Sequence, residues 1–208
     1  MKEGFKSFAY YLIIPAFLSV IFNNKVIKYP LLTNILFYLI LLLFFIFISR
    51  KEIIKHFNDF KNNLKKYLLF ILKWVIIGLG LMIISNYIIQ IFIDVLPTNE
   101  ISNRELIKNS PIISLIYLLI IAPFLEEYVF RFSFKNIKNY YIYILITCIL
   151  FSSLHILSIQ SLAEIWYFIP YFIISFSFSN IYFKTKNYFC SSLAHIIHNL
   201  LCVIIILL

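Results

Sequence analysis

Three short patterns of ionisable and polar residues stand inside otherwise apolar stretches of this sequence. The first is Glu126-Glu127-Tyr-Val-Phe-Arg131, two adjacent carboxylates followed by an arginine. Residues four apart lie on one face of a helix, so we expect Glu127 and Arg131 to form an ion pair. Glu126 points about 100° away from its neighbour on a helix. The pair therefore leaves Glu126 unneutralised, as a general base in a dry cavity requires.

The other two patterns contain histidines. Phe151-Ser-Ser-Leu-His155 ends one apolar stretch, and His195-Ile-Ile-His198-Asn199 lies in another. His195 and Asn199 are four residues apart, so they present two polar groups on one helix face. His198 either shares that face or packs between helices, and the sequence leaves both interpretations open.

The composition indicates which elements must position these residues. Of 208 residues, 62% are hydrophobic and 13% are charged, whereas soluble domains have roughly 45–50% and about 25%. Apolar runs of about 20 residues recur along the chain, and lipid requires each run to be helical. We therefore predict an all-α, polytopic transmembrane helix bundle of about seven spans, in a single integral membrane domain over residues 1–208. The predicted spans are 8–23, 31–49, 67–93, 111–133, 140–158, 164–183 and 188–208.

Loop charge predicts the orientation of the bundle, because basic residues collect in cytoplasmic loops. With the N-terminus cytoplasmic and the C-terminus outside, the inner segments hold twelve basic residues and the outer segments four. The first apolar run follows two lysines, as in a signal peptide, but Pro15 and Phe17 stand where a cleavage site needs small residues. We therefore expect a retained helix in a cell membrane. The inner residues are Lys2, Lys6, Arg50, Lys51, Lys55, Lys61, Lys65, Lys66, Lys135, Lys138, Lys184 and Lys186, and the outer ones are Lys25, Lys28, Arg104 and Lys108.

Charged groups within a span restrict where that span can lie. Each charge at a helix centre costs on the order of 2.5–3.5 kcal/mol, so the triplet in span 111–133 must face the bundle interior, pair internally or lie near a helix end. The net charge of +9 follows from the loop lysines, so we expect the lipid bilayer as a partner and no nucleic acid. The segment from Arg50 to Lys66 alternates lysines with apolar residues at roughly helical spacing. That pattern fits either a basic amphipathic helix on the cytoplasmic leaflet or an ordinary loop.

Together the three patterns resemble the EExxxR, FxxxH and HxxxN motifs of the CAAX-protease and bacteriocin-processing family. These CPBP or Abi intramembrane proteases are related to the type II CAAX prenyl endopeptidases. The motifs occur here in family order across residues 111–208, which the resemblance marks as a four-helix catalytic core. One position departs from the family pattern, since Phe132 stands where relatives commonly have glycine, and this puts the local helix packing in doubt.

The resemblance implies an intramembrane endopeptidase acting on membrane-associated proteins or peptide precursors. By that analogy Glu126, assisted by His155, activates a water molecule as general base. His195 and Asn199 donate hydrogen bonds to the oxyanion of the tetrahedral intermediate. Hydrolysis consumes water, which we expect to enter the cavity from the cytoplasmic side.

By the same analogy Glu127 and Arg131 hold the shape and charge of the site. Glutamates and histidines also bind zinc, but the sequence has no HExxH pattern and asparagine is a poor zinc ligand. We therefore favour a metal-free glutamate mechanism with no cofactor, and a zinc-dependent mechanism is the alternative. Two other functions could use the same residues: a non-catalytic bacteriocin-immunity or membrane binding protein of this fold, and a proton-coupled transporter. The chain has only three glycines and no visible repeat, which argues against a transporter.

Overall fold

The computed structural model describes residues 2–21, 30–157 and 159–207, and every regular element in these ranges is helical. This confirms the prediction of an all-α bundle. A π-helical turn, Tyr117–Ile121, joins α6 to α7, and 3-10 turns lie at Phe132–Phe134 and Leu162–Tyr167. The α-helices are α1 (Lys2–Ile21), α2 (Pro30–Ile48), α3 (Arg50–Asn62), α4 (Leu64–Phe92), α5 (Thr98–Asn109), α6 (Pro111–Ile116), α7 (Ala122–Phe130), α8 (Tyr140–His155), α9 (Phe168–Thr185) and α10 (Tyr188–Leu207).

The helices agree with the predicted number of spans. Within the described residues, five segments are long and apolar enough to cross a membrane, and α8 is an apolar helix of shorter length. These six correspond to the second through seventh predicted spans. The first predicted span, 8–23, falls on α1 up to Ile21 and lies outside the described residues beyond it. The five segments are Leu31–Ile48, Leu64–Phe92, Pro111–Phe134, Leu162–Thr185 and Tyr188–Leu207.

Helix α9 is central to the bundle and packs along both α4 and α8. Small residues permit the close approach to α4: a Cβ atom added at Gly78 would lie 2.2 Å from the Oγ of Ser177. Lipid provides no hydrophobic drive between helices, so close packing of small residues contributes much of the association.

One end of the bundle carries α3, the turn after α7 and the start of α10, and we call it the lysine-rich end. The Asn187 side chain donates from Nδ2 to the carbonyl of His56 at 2.8 Å and to Oδ2 of Asp59 at 2.7 Å. The N–H of Tyr188 donates to Nδ1 of His56 at 3.1 Å. These bonds fix α3 against α10. The helical interpretation of residues 50–62 is therefore confirmed, while its contact with the leaflet stays a prediction.

The opposite end carries α5, where the sequence analysis assigned no element, and we call it the α5 end. The buried carboxylate of Glu164 accepts hydrogen bonds from the N–H groups of Thr98 (2.7 Å), Gln160 (2.9 Å) and Ser161 (3.1 Å). The hydroxyl of Tyr167 donates to a backbone carbonyl between α4 and α5 at 2.7 Å. The start of α5 is thus attached to the turn that precedes α9.

Candidate active site

The predicted fourth span is not one continuous α-helix. It runs as α6, the π-helical turn and α7, and it ends in a 3-10 turn. Within the π-helical turn, the N–H of Ala122 donates to the carbonyl of Tyr117, five residues back instead of four. Such turns are rare and occur frequently at functional sites.

A proline explains how this turn is connected to α10. In the five-residue register the next bond would join Pro123 to the carbonyl of Leu118, but proline has no N–H. The side chain of Asn199 supplies the missing donor, with Nδ2 at 2.8 Å from the Leu118 oxygen. The last residue of the HxxxN pattern therefore satisfies a backbone carbonyl near the EExxxR helix.

The predicted ion pair lies in the centre of the bundle. Nη1 of Arg131 is 3.0 Å from Oε1 of Glu127, and both side chains are fully buried. The guanidinium also donates to the hydroxyls of Ser175 at 2.7 Å and Ser179 at 3.3 Å, and it lies 4.4 Å from the ring centre of Phe151. A buried charge pair needs such additional partners, because Coulomb attraction alone does not offset its desolvation.

His195 lies between the two glutamates. Its Nδ1 is 3.0 Å from Oε1 of Glu127, and its Nε2 is 3.9 Å from Oε2 of Glu126. The ring stacks on Phe178 with centroids 4.6 Å apart, which fixes its plane. Because Glu127 holds Nδ1, the other ring nitrogen, Nε2, is directed toward the Glu126 side of the ring.

Glu126 has a different environment from its neighbour. Its side chain lines a cavity, whereas Glu127 is completely enclosed. Three tyrosines, Tyr11 of α1, Tyr38 of α2 and Tyr117 of the π-helical turn, lie near enough to interact with the Glu126 charge. The sequence analysis did not identify these tyrosines.

His155 lines the same cavity at the end of α8. Its Nδ1–H donates to the carbonyl of Phe151 at 2.8 Å, which leaves the Nε2 lone pair as an acceptor. The ring stacks on Phe151 (centroids 4.2 Å apart) and lies beside Tyr171 (4.8 Å). His155 is also an electrostatic neighbour of Glu126.

His198, whose role the sequence left open, also borders the cavity. Its Nε2 lies 3.6 Å from the sulfur of Cys202, and its buried Nδ1 has no hydrogen-bond partner among the described residues. The ring packs edge-on to Phe178 at 5.8 Å. This histidine therefore belongs to the cavity wall, where its Nε2 contacts Cys202 and its ring packs on Phe178.

The cavity has a volume of about 330 Å³ and extends from the motif residues to the α5 end. Its outer part is lined by polar residues of α5, including Asn99, Asn103 and Arg104. Nδ2 of Asn99 donates to the hydroxyl of Tyr171 at 3.2 Å, which connects α5 to the ring beside His155. The cavity thus opens away from the lysine-rich end. With the lysines inside, water would enter from outside, so the expectation of cytoplasmic water entry is incompatible with the predicted orientation.

Two further expectations concern a metal and the departure at Phe132. Within the described ranges, no group of three or more His, Cys, Asp or Glu side chains is arranged to hold a metal ion. Phe132 is buried between the rings of Tyr128 and Tyr188, with centroids 5.0 and 5.8 Å away. Local packing accommodates the aromatic side chain where relatives commonly have glycine.

Comparisons with known proteins agree with the motif resemblance. Residues 108–201 match the family described as type II CAAX prenyl endopeptidase Rce1-like. The chain is 31% identical over 144 residues to UPF0177 protein YxdF of Lactococcus lactis subsp. lactis (strain IL1403), an alignment that covers 65% of this chain and 77% of that protein. No solved structure matches the chain.

Proposed function

Because this chain belongs to the Rce1-like family of type II CAAX prenyl endopeptidases, a family of intramembrane proteases, we propose that it hydrolyses peptide bonds with Glu126 as the base. The observation that carries the proposal is the shared cavity. Glu126, His155, His195 and Asn199 come from three separate stretches of sequence and line one cavity within the membrane-spanning region. A structural role for these side chains does not require that they share a cavity.

The general base is Glu126, which removes a proton from a water molecule held between its carboxylate and His155. The fixed tautomer of His155 supports this role, because Nε2 accepts a hydrogen bond while Nδ1 is engaged with Phe151. The water oxygen attacks the scissile carbonyl carbon, and the carboxyl group then returns the proton to the leaving amine.

The oxyanion is stabilised by His195 and Asn199. Glu127 holds Nδ1 of His195 and directs Nε2 toward Glu126, where a proton on Nε2 would be donated to the oxyanion. One N–H of the Asn199 amide is used by the π-helical turn, and the second remains as a donor. Removal of one oxyanion donor costs roughly 10²–10³ in kcat in other hydrolases, and we expect a similar loss here.

The substrates are segments of membrane proteins or peptide precursors that reach the cavity from the α5 end. The twelve lysines and arginines of the opposite end favour a cytoplasmic location for that end, because basic residues collect in cytoplasmic loops. The active site then opens toward the extracytoplasmic side, and the substrate's scissile bond lies there.

A comparison of membrane peptides from cells carrying the wild type or Glu126→Gln tests the activity. Glu105→Gln is the matched control, because Glu105 is an exposed carboxylate on α5. Cleaved peptides should disappear with Glu126→Gln and persist with Glu105→Gln at equal protein levels. An unchanged peptide pattern together with full biological activity of Glu126→Gln would refute the protease function and favour a non-catalytic immunity or binding protein.

Labelling with a membrane-impermeant maleimide tests the orientation separately. Ser102→Cys lies on the exposed surface of α5, and Lys61→Cys lies at the lysine-rich end. Both are made with Cys202→Ser, because the other native cysteines, Cys148 and Cys190, are buried. In intact cells only the Ser102→Cys variant should react. Reaction of the Lys61→Cys variant alone would reverse the orientation without affecting the proposed chemistry.

A further inference from the structure

A second cavity, of about 560 Å³, lies at the lysine-rich end between α1, α2 and the turn after α7. Its described lining residues are separate from those of the active-site cavity. None of the proposed catalytic residues lines it.

The described lining is strongly cationic. It contains four basic side chains, Lys6, Arg50, Lys51 and Lys135, and one carboxylate, Glu52. Lys135 forms an ion pair with Glu52. The other three cations, Lys6, Arg50 and Lys51, are exposed on α1 and α3, and none of them forms an ion pair with an acidic side chain that the structure describes. Three positive charges from two helices therefore converge on one cavity, and the carboxylate in its described lining is already paired with Lys135.

The rest of the lining combines hydroxyl groups with an apolar wall. Ser49 and Ser133 contribute hydroxyls, and Oγ of Ser49 is 2.7 Å from the hydroxyl of Tyr128. On the lipid side, Phe44, Phe47 and Ile48 of α2 are all more than half exposed. A site of this kind is polar and cationic at the membrane surface and apolar toward the bilayer.

We propose that this cavity binds the phosphodiester headgroup of an anionic phospholipid, with the acyl chains along the exposed face of α2. Basic pockets between transmembrane helices on the cytoplasmic side have the chemistry that anionic headgroups require. The group that the cationic side chains would bind is a phosphate anion, which a free phosphate compound would also provide. The apolar wall favours the lipid, because a free phosphate has no group to cover Phe44, Phe47 and Ile48.

The bound lipid also contacts the helix that carries the active site. Tyr128 lies at the floor of the cavity and stacks on Phe45 of α2 with ring centroids 4.7 Å apart. It stands one residue after Glu127 and three before Arg131. The headgroup site is therefore built partly on α7, and an occupant supports α2 against that helix.

The test is a titration of the purified full-length chain, in an uncharged detergent, with short-chain lipids, and bound lipid is counted by native mass spectrometry. Three probes separate the possible sources: dioctanoyl phosphatidylglycerol, dioctanoyl phosphatidylcholine and glycerol phosphate. The test variant is Arg50→Gln/Lys51→Gln, and Lys6→Gln removes a charge from the opposite wall. The matched control is Lys65→Gln/Lys66→Gln, which removes two exposed charges from the same end outside the cavity.

We expect phosphatidylglycerol to bind and the other two probes to compete poorly. Loss of two cationic contacts should weaken binding about 30-fold, and Lys6→Gln should weaken it by a smaller factor. The control pair should change it by less than about threefold. Equal binding of phosphatidylcholine, or an equal loss with the control pair, would overturn the site. Equal competition by glycerol phosphate would overturn the lipid as its occupant.

Discussion

Replacement of Glu127 by alanine separates the structural role of this glutamate from the catalytic role proposed for Glu126. The substitution removes the carboxylate that binds Arg131 at 3.0 Å and His195 at 3.0 Å. Arg131 is fully buried, so its charge keeps no anionic partner and cannot reach water. The adjacent substitution, Glu126→Ala, removes a carboxylate that lines the cavity and leaves the ion pair intact.

The expected loss follows from the contacts that survive. Breaking a buried ion pair by removing one partner costs about 3–5 kcal/mol. Arg131 retains its bonds to Ser175 and Ser179 and its contact with the ring of Phe151, which softens the loss. His195 also loses its hydrogen-bond acceptor, a change that by itself costs about 1–3 kcal/mol. This cost and that of the broken ion pair are not additive, because both partners share one carboxylate. We therefore expect Glu127→Ala to lower the free energy of unfolding by about 3–5 kcal/mol.

The measurement is reversible unfolding in mixed micelles by titration with sodium dodecyl sulfate, followed by tryptophan fluorescence. Glu126→Ala is the control, and its unfolding free energy should lie within about 1 kcal/mol of wild type, with either sign. Proteolytic activity should be lost in both variants. The unfolding free energy therefore distinguishes the structural role of Glu127 from the catalytic role of Glu126, whereas loss of activity in both variants does not.

Two outcomes would refute this reasoning. If Glu127→Ala unfolds within about 1 kcal/mol of wild type, the ion pair does not contribute as its burial indicates. If Glu126→Ala is as destabilised as Glu127→Ala, the division of the two glutamates into a base and a structural partner is wrong.

Three other predictions concern helix contacts and pH. Gly78→Ala should be destabilising by about 1–3 kcal/mol because its Cβ would collide with α9, whereas Gly80→Ala, with nothing within 4 Å, should be neutral or stabilising in the same unfolding assay. Burial raises the pKa of Asp59, but hydrogen bonds, led by the one from Asn187, outweigh that effect and hold the pKa below its ordinary value. The stability that Asp59 provides is therefore present above about pH 4 and is lost as the pH falls through the lower folded-state pKa. The unfolding free energy of Asp59→Asn should lack this part of the acid dependence. A pH profile identical to that of the wild type would contradict the assignment. Asn199→Asp should be less stable than Asn199→Ala, because its carboxylate would face the carbonyl of the π-helical turn without a proton to donate. The reverse order of the two unfolding midpoints would exclude the hydrogen bond from Asn199 to the Leu118 carbonyl.

The local part of the site was predictable because helical spacing determines it. Glu127 and Arg131 are four residues apart, and no tertiary information is needed to place them on one face. A related signal was present but not used: Ser175 and Ser179 also stand four apart in an apolar span, and they are the hydroxyls that contact the guanidinium. Hydroxyls repeated at helical spacing in a span indicate a polar partner on a neighbouring helix.

Other features had no usable signal in the sequence. Aromatic residues make up 19% of the chain, so Tyr11, Tyr38 and Tyr117 do not stand out as neighbours of Glu126. Pro123 is visible, but the sequence does not show that its missing N–H coincides with a five-residue register. Residues 98–109 are polar and were assigned only as an outer loop, since neither length nor apolar periodicity distinguishes this short helix.

The orientation of the adjacent glutamates also bears on the predicted four-helix core, residues 111–208. Helix α7 presents Glu127 toward His195 of α10, and Arg131 at the end of α7 joins this carboxylate to Ser175 of α9. The rotation of about 100° between successive residues turns Glu126 toward α1 and α2, which pack on α7 and bring Tyr11 and Tyr38 to its carboxylate. The described lining of the active-site cavity comes from other helices, so α1 and α2 cover Glu126 on a different side. Without them that side of the residue would border lipid, where a charged group costs on the order of 2.5–3.5 kcal/mol. The motifs therefore mark where the proposed chemistry lies, while the N-terminal helices, which carry no motif, separate Glu126 from lipid on the side of Tyr11 and Tyr38.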